Sequence, residues 1–216
     1  MSNINIEIIR PKADELLLAA KFSTATLHEA AGKIGALPSS IKPLSATMRI
    51  CGPAVTVHSP PGDNIMLHEA IIAAQPGDVL VADVSGHYEA GYWGDIMTHA
   101  AKQRKIQGLI INGCVRDSKE IIDSGFPVFS RGICIKGTSK HGGGSINHPI
   151  AIGETFISPG DIVVGDVDGV VVLPGLEIEN ILKTAKKRES QEKVIIQQLT
   201  EGKTTMEIYG WKSQLY

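Results

Sequence analysis

Val79-Leu80-Val81-Ala82-Asp83, then Gly91-Tyr92-Trp93-Gly94-Asp95, then Leu109-Ile110-Ile111-Asn112 with Arg116-Asp117 just beyond it: the reading of this stretch decides the fold. Two short apolar runs rich in branched residues read as strands buried on both faces, as in a parallel sheet. Between them, residues 95–104 carry helical spacing after a glycine loop, and Gln107-Gly108 turns the chain into the second strand. Strand, glycine loop, helix and strand make a βαβ-like unit, which sets Arg116-Asp117 just past a strand's C-terminal end.

Working outward, residues 12–20 and 24–33 have helical spacing, with Leu16, Leu17 and Ala20, then Leu27, Ala30 and Ala31, on the inward faces. Residues 48–57 are β-like but interrupted by Gly52-Pro53, which predicts a bend or an edge position because proline cannot donate to a ladder. Residues 64–74 read as a helix whose first-turn N–H groups meet an acceptor on Asp63 or Asn64. Pro-Gly-Asp occurs at Pro61, Pro76 and Pro159, and the last two copies run directly into branched apolar segments. They read as tight turns feeding buried strands, which gives their aspartates structural work.

Residues 125–169 alternate short apolar segments with glycines and read as meandering β structure. A long helix follows over 177–201, with Ile178, Ile181, Leu182, Ala185, Val194, Ile195 and Leu199 on its apolar side and Lys183, Lys186, Lys187 and Arg188 on its wet side. The tail carries Ile208, Tyr209, Trp211 and Leu215, too apolar for a frayed end, and is expected to dock on this or a neighbouring subunit. The organisation expected is one α/β domain over 1–216, with 177–216 as a helix and tail at a subunit interface.

Composition narrows the function classes. Lys plus Arg number 21 against 23 Asp plus Glu, a formal charge of −2, without the basic stripe that tracks nucleic acid. The three cysteines, Cys51, Cys114 and Cys134, are too far apart for a CxxC motif and too few for a disulfide framework, as in a reducing cytoplasm. Neither a signal-peptide core nor an apolar run of about 18 residues is present, so the expectation is a cytoplasmic protein without membrane or nucleic-acid partners.

The chemistry gathers around Asp95, Arg116 and Asp117, with twenty residues between the first aspartate and the Arg-Asp pair. Mg²⁺ and Mn²⁺ favour one or two carboxylates completed by water and substrate oxygens, which Asp95 and Asp117 can supply. Arg116 offers a planar fork to a carboxylate or to an oxygen that becomes negative. The first N–H groups of the helix after Gly94 suit an anion. Together these would bind a 2-oxo acid and stabilise its enolate. A structural cap or surface pair is the competing reading for Arg116-Asp117. The histidines form no HExxH-type cluster. Glu29, beside His28 on a helix, reads equally as a proton relay or as a solvated or capping residue. Tyr92 and Met66 read as packing residues, and Trp93 as packing or a pocket wall.

Thr26-Leu27-His28-Glu29-Ala30, Pro60-Pro61-Gly62-Asp63-Asn64, Gly91-Tyr92-Trp93-Gly94-Asp95, Gly125-Phe126-Pro127-Val128, Pro159-Gly160-Asp161 and Asp168-Gly169-Val170, in this order and with the Asp95 to Arg116-Asp117 spacing, carry a resemblance. The chain resembles the class II pyruvate aldolases acting on 4-hydroxy-4-methyl-2-oxoglutarate and 4-carboxy-4-hydroxy-2-oxoadipate, in a wider family that includes the RraA-like regulators of ribonuclease activity. The resemblance implies an αββα sandwich similar to the phosphohistidine swivelling domain, assembled as trimers or hexamers with active sites at subunit interfaces. It implies that Asp117 binds a divalent metal, Mg²⁺ or Mn²⁺, and that Asp95 reaches the metal through water. By the same resemblance Arg116 holds the keto and carboxylate oxygens and stabilises the enolate. The loop amides of Gly91, Gly94, Asp95 and Ile96 then receive the pyruvyl carboxylate. The activity implied is retro-aldol release of pyruvate, with oxaloacetate decarboxylation through the same enolate; the alternative within the family is a non-catalytic regulator that binds a protein partner. The chain departs from the aldolase pattern at Gly202-Lys203-Thr204, where that branch carries an acidic residue, and in the loop Lys140-His141-Gly142-Gly143-Gly144.

Overall fold

The computed structural model describes residues 2–212. In chain order the elements are β1 (Ser2–Ile4), α1 (Ala13–Ala19), α2 (Thr24–Ala30), β2 (Lys42–Pro43), β3 (Ile50–His58), α3 (Ile65–Ala73), β4 (Val79–Asp83), α4 (Asp95–Gln103), β5 (Gly108–Val115) and α5 (Ser118–Ser124). There follow β6 (Val128–Ile133), β7 (Gly144–Ile146), β8 (Ile150–Ile152), β9 (Thr155–Ile157), β10 (Ile162–Gly165), β11 (Val170–Leu173), a 3₁₀ turn (Gly175–Glu177), α6 (Ile178–Thr200) and α7 (Thr205–Tyr209).

The main sheet runs β1-β7-β3-β4-β5-β6-β2, and its centre, β3 to β6, is parallel and in chain order. Right-handed crossovers between strands in that order place all their helices on one face, so α3, α4 and α5 form one covering layer. β4 and the first six residues of β5 are buried almost throughout, because this sheet is covered on both sides. The second cover is a smaller β layer. It consists of β10 and β11, paired antiparallel, and the β8–β9 hairpin, whose β8 packs over β3 and β4. α1, α2 and α6 close its outer face around Leu27, Ile162, Val164, Leu173, Ile181 and Ala185. The result is a mixed α/β architecture layered α, β, β, α, with a long C-terminal helix.

β3 joins the two β layers by changing partners midway. Residues 50–53 pair antiparallel with β10, and residues 54–58 pair parallel with β4. Pro53 stands at the switch, where its missing N–H costs no ladder bond, and Ala54 N–H already donates to Asp161 O at 2.8 Å.

All three Pro-Gly-Asp aspartates are structural. Asp78 is fully buried and accepts a bidentate fork from Arg10, Nε and Nη2 both at 2.8 Å, together with Gln75 N–H at 2.7 Å. Asp161 accepts from Ser158 N–H at 2.8 Å and Gly175 N–H at 3.3 Å. Asp63 spans a longer distance in sequence. Its Oδ1 accepts from Ile65 N–H at 2.9 Å, which settles the start of α3 on Asp63 rather than Asn64. Its Oδ2 accepts from Ser139 Oγ at 2.8 Å and from the N–H groups of His141 and Gly142, so it clamps the 139–142 loop to the start of α3.

Three expectations change. Leu17 is 69% exposed, so the inward face of α1 is Leu16 and Ala19 rather than Leu16, Leu17 and Ala20. The apolar face of α6 is buried only through Ala185; of the residues expected beyond it, Val194 and Leu199 are exposed and Ile195 is half-buried. Of the tail's described residues, Tyr209 and Trp211 stack on each other at 4.6 Å and stay exposed instead of packing on this chain's core, while Leu215 lies outside the described residues.

Removing one partner of a buried ion pair leaves an uncompensated charge, so Asp78→Ala is expected to lower the unfolding free energy by about 3 kcal/mol, read from urea denaturation. At Asp63, burial pushes the carboxyl up, but the donors from Ile65, Ser139, His141 and Gly142 outweigh it and hold it below the usual carboxylate range. A depressed folded-state value gives stabilisation that is complete above the unfolded value, near pH 4, and is lost as pH falls through the folded value. Denaturation midpoints from pH 7 to pH 3 are therefore expected to fall more steeply in the wild type than in Asp63→Asn.

Candidate active site

The glycine loop after β4 is built as a short extra strand. Gly91 N–H donates to Lys136 O at 2.8 Å, Tyr92 N–H to Cys114 O at 3.0 Å, and Trp93 O accepts from Arg116 N–H at 2.8 Å. Two aromatic side chains anchor it from below. Tyr92 is fully buried, and its hydroxyl accepts from Gly62 N–H at 2.7 Å and lies 2.9 Å from His87 Nδ1. Trp93 is also fully buried, stacks on Phe126 and donates from Nε1 to Thr98 Oγ1 at 2.8 Å, so it is core rather than pocket wall. A Cβ on Gly91 would sit 2.3 Å from Cys134 O, which explains the glycine.

Beyond β5 the chain turns sharply. Asp117 adopts a left-handed conformation, φ 54° and ψ 40°, which aspartate tolerates better than most residues. It occupies the N-cap position of α5, yet its carboxylate makes no bond to that helix. Oδ2 instead accepts from Asp95 N–H at 3.1 Å, across the gap to the first turn of α4. The approach is so close that a Cβ on Gly94 would lie 2.4 Å from Asp117 Oδ2. Arg116 Nε is 3.7 Å from the same oxygen, an ion pair too long for a hydrogen bond, which leaves the guanidinium fork available. Asp95 Oδ1 is buried and accepts no hydrogen bond from the described residues. His99 Nδ1 stands 3.1 Å from it, but the aligned contact of that nitrogen goes to the Asp95 carbonyl oxygen.

Gly91, Gly94, Arg116 and Asp117 line a cavity of about 340 Å³, and Asp95 lies next to it through its N–H bond to Asp117. Its lining combines Gly91, Gly94, Ile96, Arg116 and Asp117 with Asn64, His68, Thr138 and Lys140. Asn64 Nδ2 donates to Tyr92 O at 2.7 Å, tying α3 to the glycine loop. A larger concavity of about 440 Å³ lies elsewhere, lined by His28, Lys33, Glu154 and Phe156, apart from Arg116 and the paired aspartates.

The residues singled out from sequence thus separate. Asp95, Arg116, Asp117, Gly91, Gly94 and Ile96 come together. Glu29 does not join them within the chain: it pairs with Lys33 at 4.0 Å and with Arg188 of α6 at 3.7 Å. Two of the expected amide donors are already engaged, Gly91 N–H by Lys136 O and Asp95 N–H by Asp117. Helix geometry leaves the N–H groups of Ile96 and Met97 without intrahelical acceptors, so the anion-receiving end of α4 lies one residue further on than the loop pattern suggests. Sequence reasoning missed His68 and Lys140. The only signal for His68 was its position one helical turn after Asn64, and Lys140 is carried to the cavity by its neighbours Ser139 and His141, which bond to Asp63 across more than 70 residues of chain.

For a hard divalent cation the donor set is suitable. Asp117 retains acceptor capacity, Asp95 Oδ1 accepts no aligned hydrogen bond, and both offer carboxylate oxygens. Among the described residues no group of three or more His, Cys, Asp or Glu side chains forms a metal cage.

A protein of Halalkalibacterium halodurans named "Putative 4-hydroxy-4-methyl-2-oxoglutarate aldolase" is 39% identical over 78% of this chain and 80% of its own length. An uncharacterized protein of Methanocaldococcus jannaschii is 31% identical over 94% of this chain and 96% of its own. Among solved structures, an uncharacterized protein from Pseudomonas syringae superposes with a TM-score of 0.82 at 31% identity, covering 92% of this chain and 93% of the other. RraAS2 of Streptomyces coelicolor, described as an unusual member of the RNase ES inhibitor RraA protein family, gives 0.77 at 26% identity over 87% and 98%. Residues 24–172 match the RraA-like family model, described as Aldolase/RraA, and the chain belongs to that family.

Proposed function

We propose that this protein is a divalent-metal-dependent lyase that releases pyruvate by retro-aldol cleavage of 4-hydroxy-4-methyl-2-oxoglutarate or 4-carboxy-4-hydroxy-2-oxoadipate, with oxaloacetate decarboxylation as a side activity. The observation that carries this reading is the convergence of Arg116, Asp117 and the N-terminus of α4 on one cavity, with Asp95 N–H bonded to the Asp117 carboxylate. The aldolase name borne by the Halalkalibacterium relative supports it.

In this mechanism the N–H groups of Ile96 and Met97 receive the carboxylate of the pyruvyl half, aided by the helix dipole. Arg116 takes the keto oxygen, where negative charge grows as the C3–C4 bond breaks, and its fork is aimed at an oxygen that is anionic only in the transition state and enolate. Asp117 and Asp95 hold the Mg²⁺ or Mn²⁺, which when bound supplies Lewis-acid polarisation of the keto oxygen and a water of lowered pKa. The proton leaves the C4 hydroxyl for a water held by an acidic side chain, the C4 carbonyl product departs, and C3 of the enolate is protonated to give pyruvate. Oxaloacetate reaches the same enolate by losing CO₂, without the hydroxyl base. Glu29 serves as a proton relay only where assembly brings α2 of a neighbouring subunit to the cavity.

A homotrimer or homohexamer accounts for the apolar residues left open on α6 and the tail, Val194, Ile196, Leu199, Tyr209 and Trp211. Three free cysteines suit a reducing cytoplasm, and no described helix is long and apolar enough to cross a membrane. A second reading, a non-catalytic regulator binding a protein partner, is favoured by the likeness to Streptomyces RraAS2.

The test is pyruvate release from the two 4-hydroxy-2-oxo acids and from oxaloacetate, with Mg²⁺, Mn²⁺ or EDTA. Release is expected to need the metal, to vanish in Asp117→Ala, and to fall by roughly 10²- to 10³-fold in kcat in Arg116→Lys, the usual loss for a misplaced oxyanion donor. Silence of the metal-replete wild type on every substrate would sink the lyase reading in favour of the regulator.

A further inference from the structure

All three cysteines are free thiols, and nothing in the mechanism above uses them. Cys51 stands apart: burial pushes its thiol up to about 11, and Sγ donates to Leu16 O at 3.5 Å, the setting of an inert packed thiol. Cys114 and Cys134 instead lie together at the carboxyl ends of β5 and β6. Cys114 pairs in register with Gly132, and Cys134 comes two residues later, kept in the ladder by its N–H on Val115 O at 2.9 Å. Two steps along a strand return to the same face, so both thiols stand on one side of the sheet. Gly132 has no side chain to part them, and a Cβ there would lie 3.6 Å from Cys114 Sγ. Both residues are partly open to solvent.

The backbone of this pair carries the glycine loop. Cys114 O accepts from Tyr92 N–H at 3.0 Å, and Cys134 O abuts Gly91, so closely that a Cβ there would meet it at 2.3 Å. Arg116, two residues beyond Cys114, donates its N–H to Trp93 O at 2.8 Å. Residues placed diagonally on neighbouring strands lie roughly 7–8 Å apart. A disulfide needs its Cα atoms within about 7 Å. Bridging this pair therefore requires the ends of β5 and β6 to draw together just where the loop rests on both. A bridge closed against such resistance is readily reduced again, which is the property of a regulatory disulfide rather than a structural one. Disulfides of that kind occur in a reducing compartment.

We propose that Cys114 and Cys134 form a reversible redox switch, in which a peroxide closes a disulfide between them and so displaces the glycine loop from Asp117. Burial, reinforced by the charges of Cys134 and Glu89, keeps Cys114 as the thiol, so oxidation starts at Cys134. The Cys134 thiolate attacks one peroxide oxygen, the O–O bond breaks, and water or an alcohol leaves after taking up a proton; Cys134 is then a sulfenic acid. The Cys114 sulfur attacks the Cys134 sulfur, the S–O bond breaks, and the hydroxide leaves as water with the Cys114 proton. The pair of sulfurs has given up two electrons to the peroxide, and a thiol reductant returns them by exchange. The switch acts on the loop whatever reaction the cavity performs; the lyase reading enters only where pyruvate is measured.

Treatment of the intact protein with hydrogen peroxide, followed by mass spectrometry of unreduced peptides, is expected to show Cys114 joined to Cys134 within one chain. In the bridged protein, amide hydrogen exchange over residues 91–97 is expected to quicken by roughly tenfold or more, because the hydrogen bonds of the loop open more often. Pyruvate release is expected to fall by a similar factor, and dithiothreitol to restore both. Cys114→Ser and Cys134→Ser are expected to match the reduced wild type in loop exchange before peroxide and to keep that exchange after it, whereas Cys51→Ser still responds. Both substitutions are isosteric and at partly exposed positions, so the variants should fold, which their melting curves check. Consumption of the thiols without a Cys114–Cys134 link, a link formed only between chains, or a link that leaves loop exchange unchanged would overturn the switch. A link that quickens loop exchange in a protein whose reduced form releases no pyruvate from any substrate would leave the switch standing and remove the lyase reading alone.

Discussion

The lashing of residues 91–93 between the end of β5 and Lys136 is the constraint on which the site depends. Three backbone hydrogen bonds of 2.8–3.0 Å hold this segment as though it were a strand, and the buried rings of Tyr92 and Trp93 fasten it to the core. Loops usually carry function at the cost of mobility. Here the loop inherits the rigidity of the sheet, so the first turn of α4 meets the turn after β5 at a fixed separation. Gly94 then allows the Asp117 carboxylate to come within reach of Asp95 N–H; any side chain there would occupy the space of Oδ2.

Acceptor capacity sorts the aspartates of this chain. Asp63, Asp78 and Asp166 are saturated: Asp166, for example, accepts from Thr24 N–H and Oγ1 and from Asp168 N–H. Each is a structural junction joining segments distant in sequence, and each is at least 94% buried. Asp117 accepts one backbone donor and Asp95 Oδ1 accepts none, although that oxygen is out of contact with water. A buried carboxylate oxygen without a donor is costly unless something arrives to satisfy it. The contrast lies within one protein, so it does not depend on any general rate at which aspartates are functional.

Much of this was legible in the sequence because it is local. β4 and β5 follow from continuous branched runs, α3 and α4 from their spacing, and the turn role of Pro-Gly-Asp from the chemistry of those residues, whereas the short α5 carries no such signal and β6, read as part of a meander, is a parallel strand. The grouping of Asp95 with Arg116 and Asp117 was legible because a βαβ unit brings consecutive strand ends together. What failed was non-local. Leu17 fits a helical stripe, but the stripe that counts is set by where α6 lies. Gly91 N–H was expected to face a ligand, whereas Lys136, far along the chain, takes it. Lys140 was seen only as a departure in a glycine-rich loop, since no periodicity announces that Asp63 will grip the residues on either side of it.

The competing reading of Arg116-Asp117 was a structural cap, and the geometry at α5 argues against it. Aspartate at an N-cap ordinarily accepts from the second or third N–H of its own helix, which is worth about 1 kcal/mol. Asp117 holds that position and forgoes the bond, turning its carboxylate toward α4 and adopting a left-handed backbone to do so. Left-handed strain in a residue other than glycine adds roughly another 1 kcal/mol. Arg116 N–H on Trp93 O and Ile121 N–H on Asp117 O, at 3.0 Å, hold the turn from both sides against that cost. A side chain needed only for stability would have capped its own helix. One held away from the cap, bonded instead to Asp95 N–H and 3.7 Å from Arg116 Nε, does no capping work at α5.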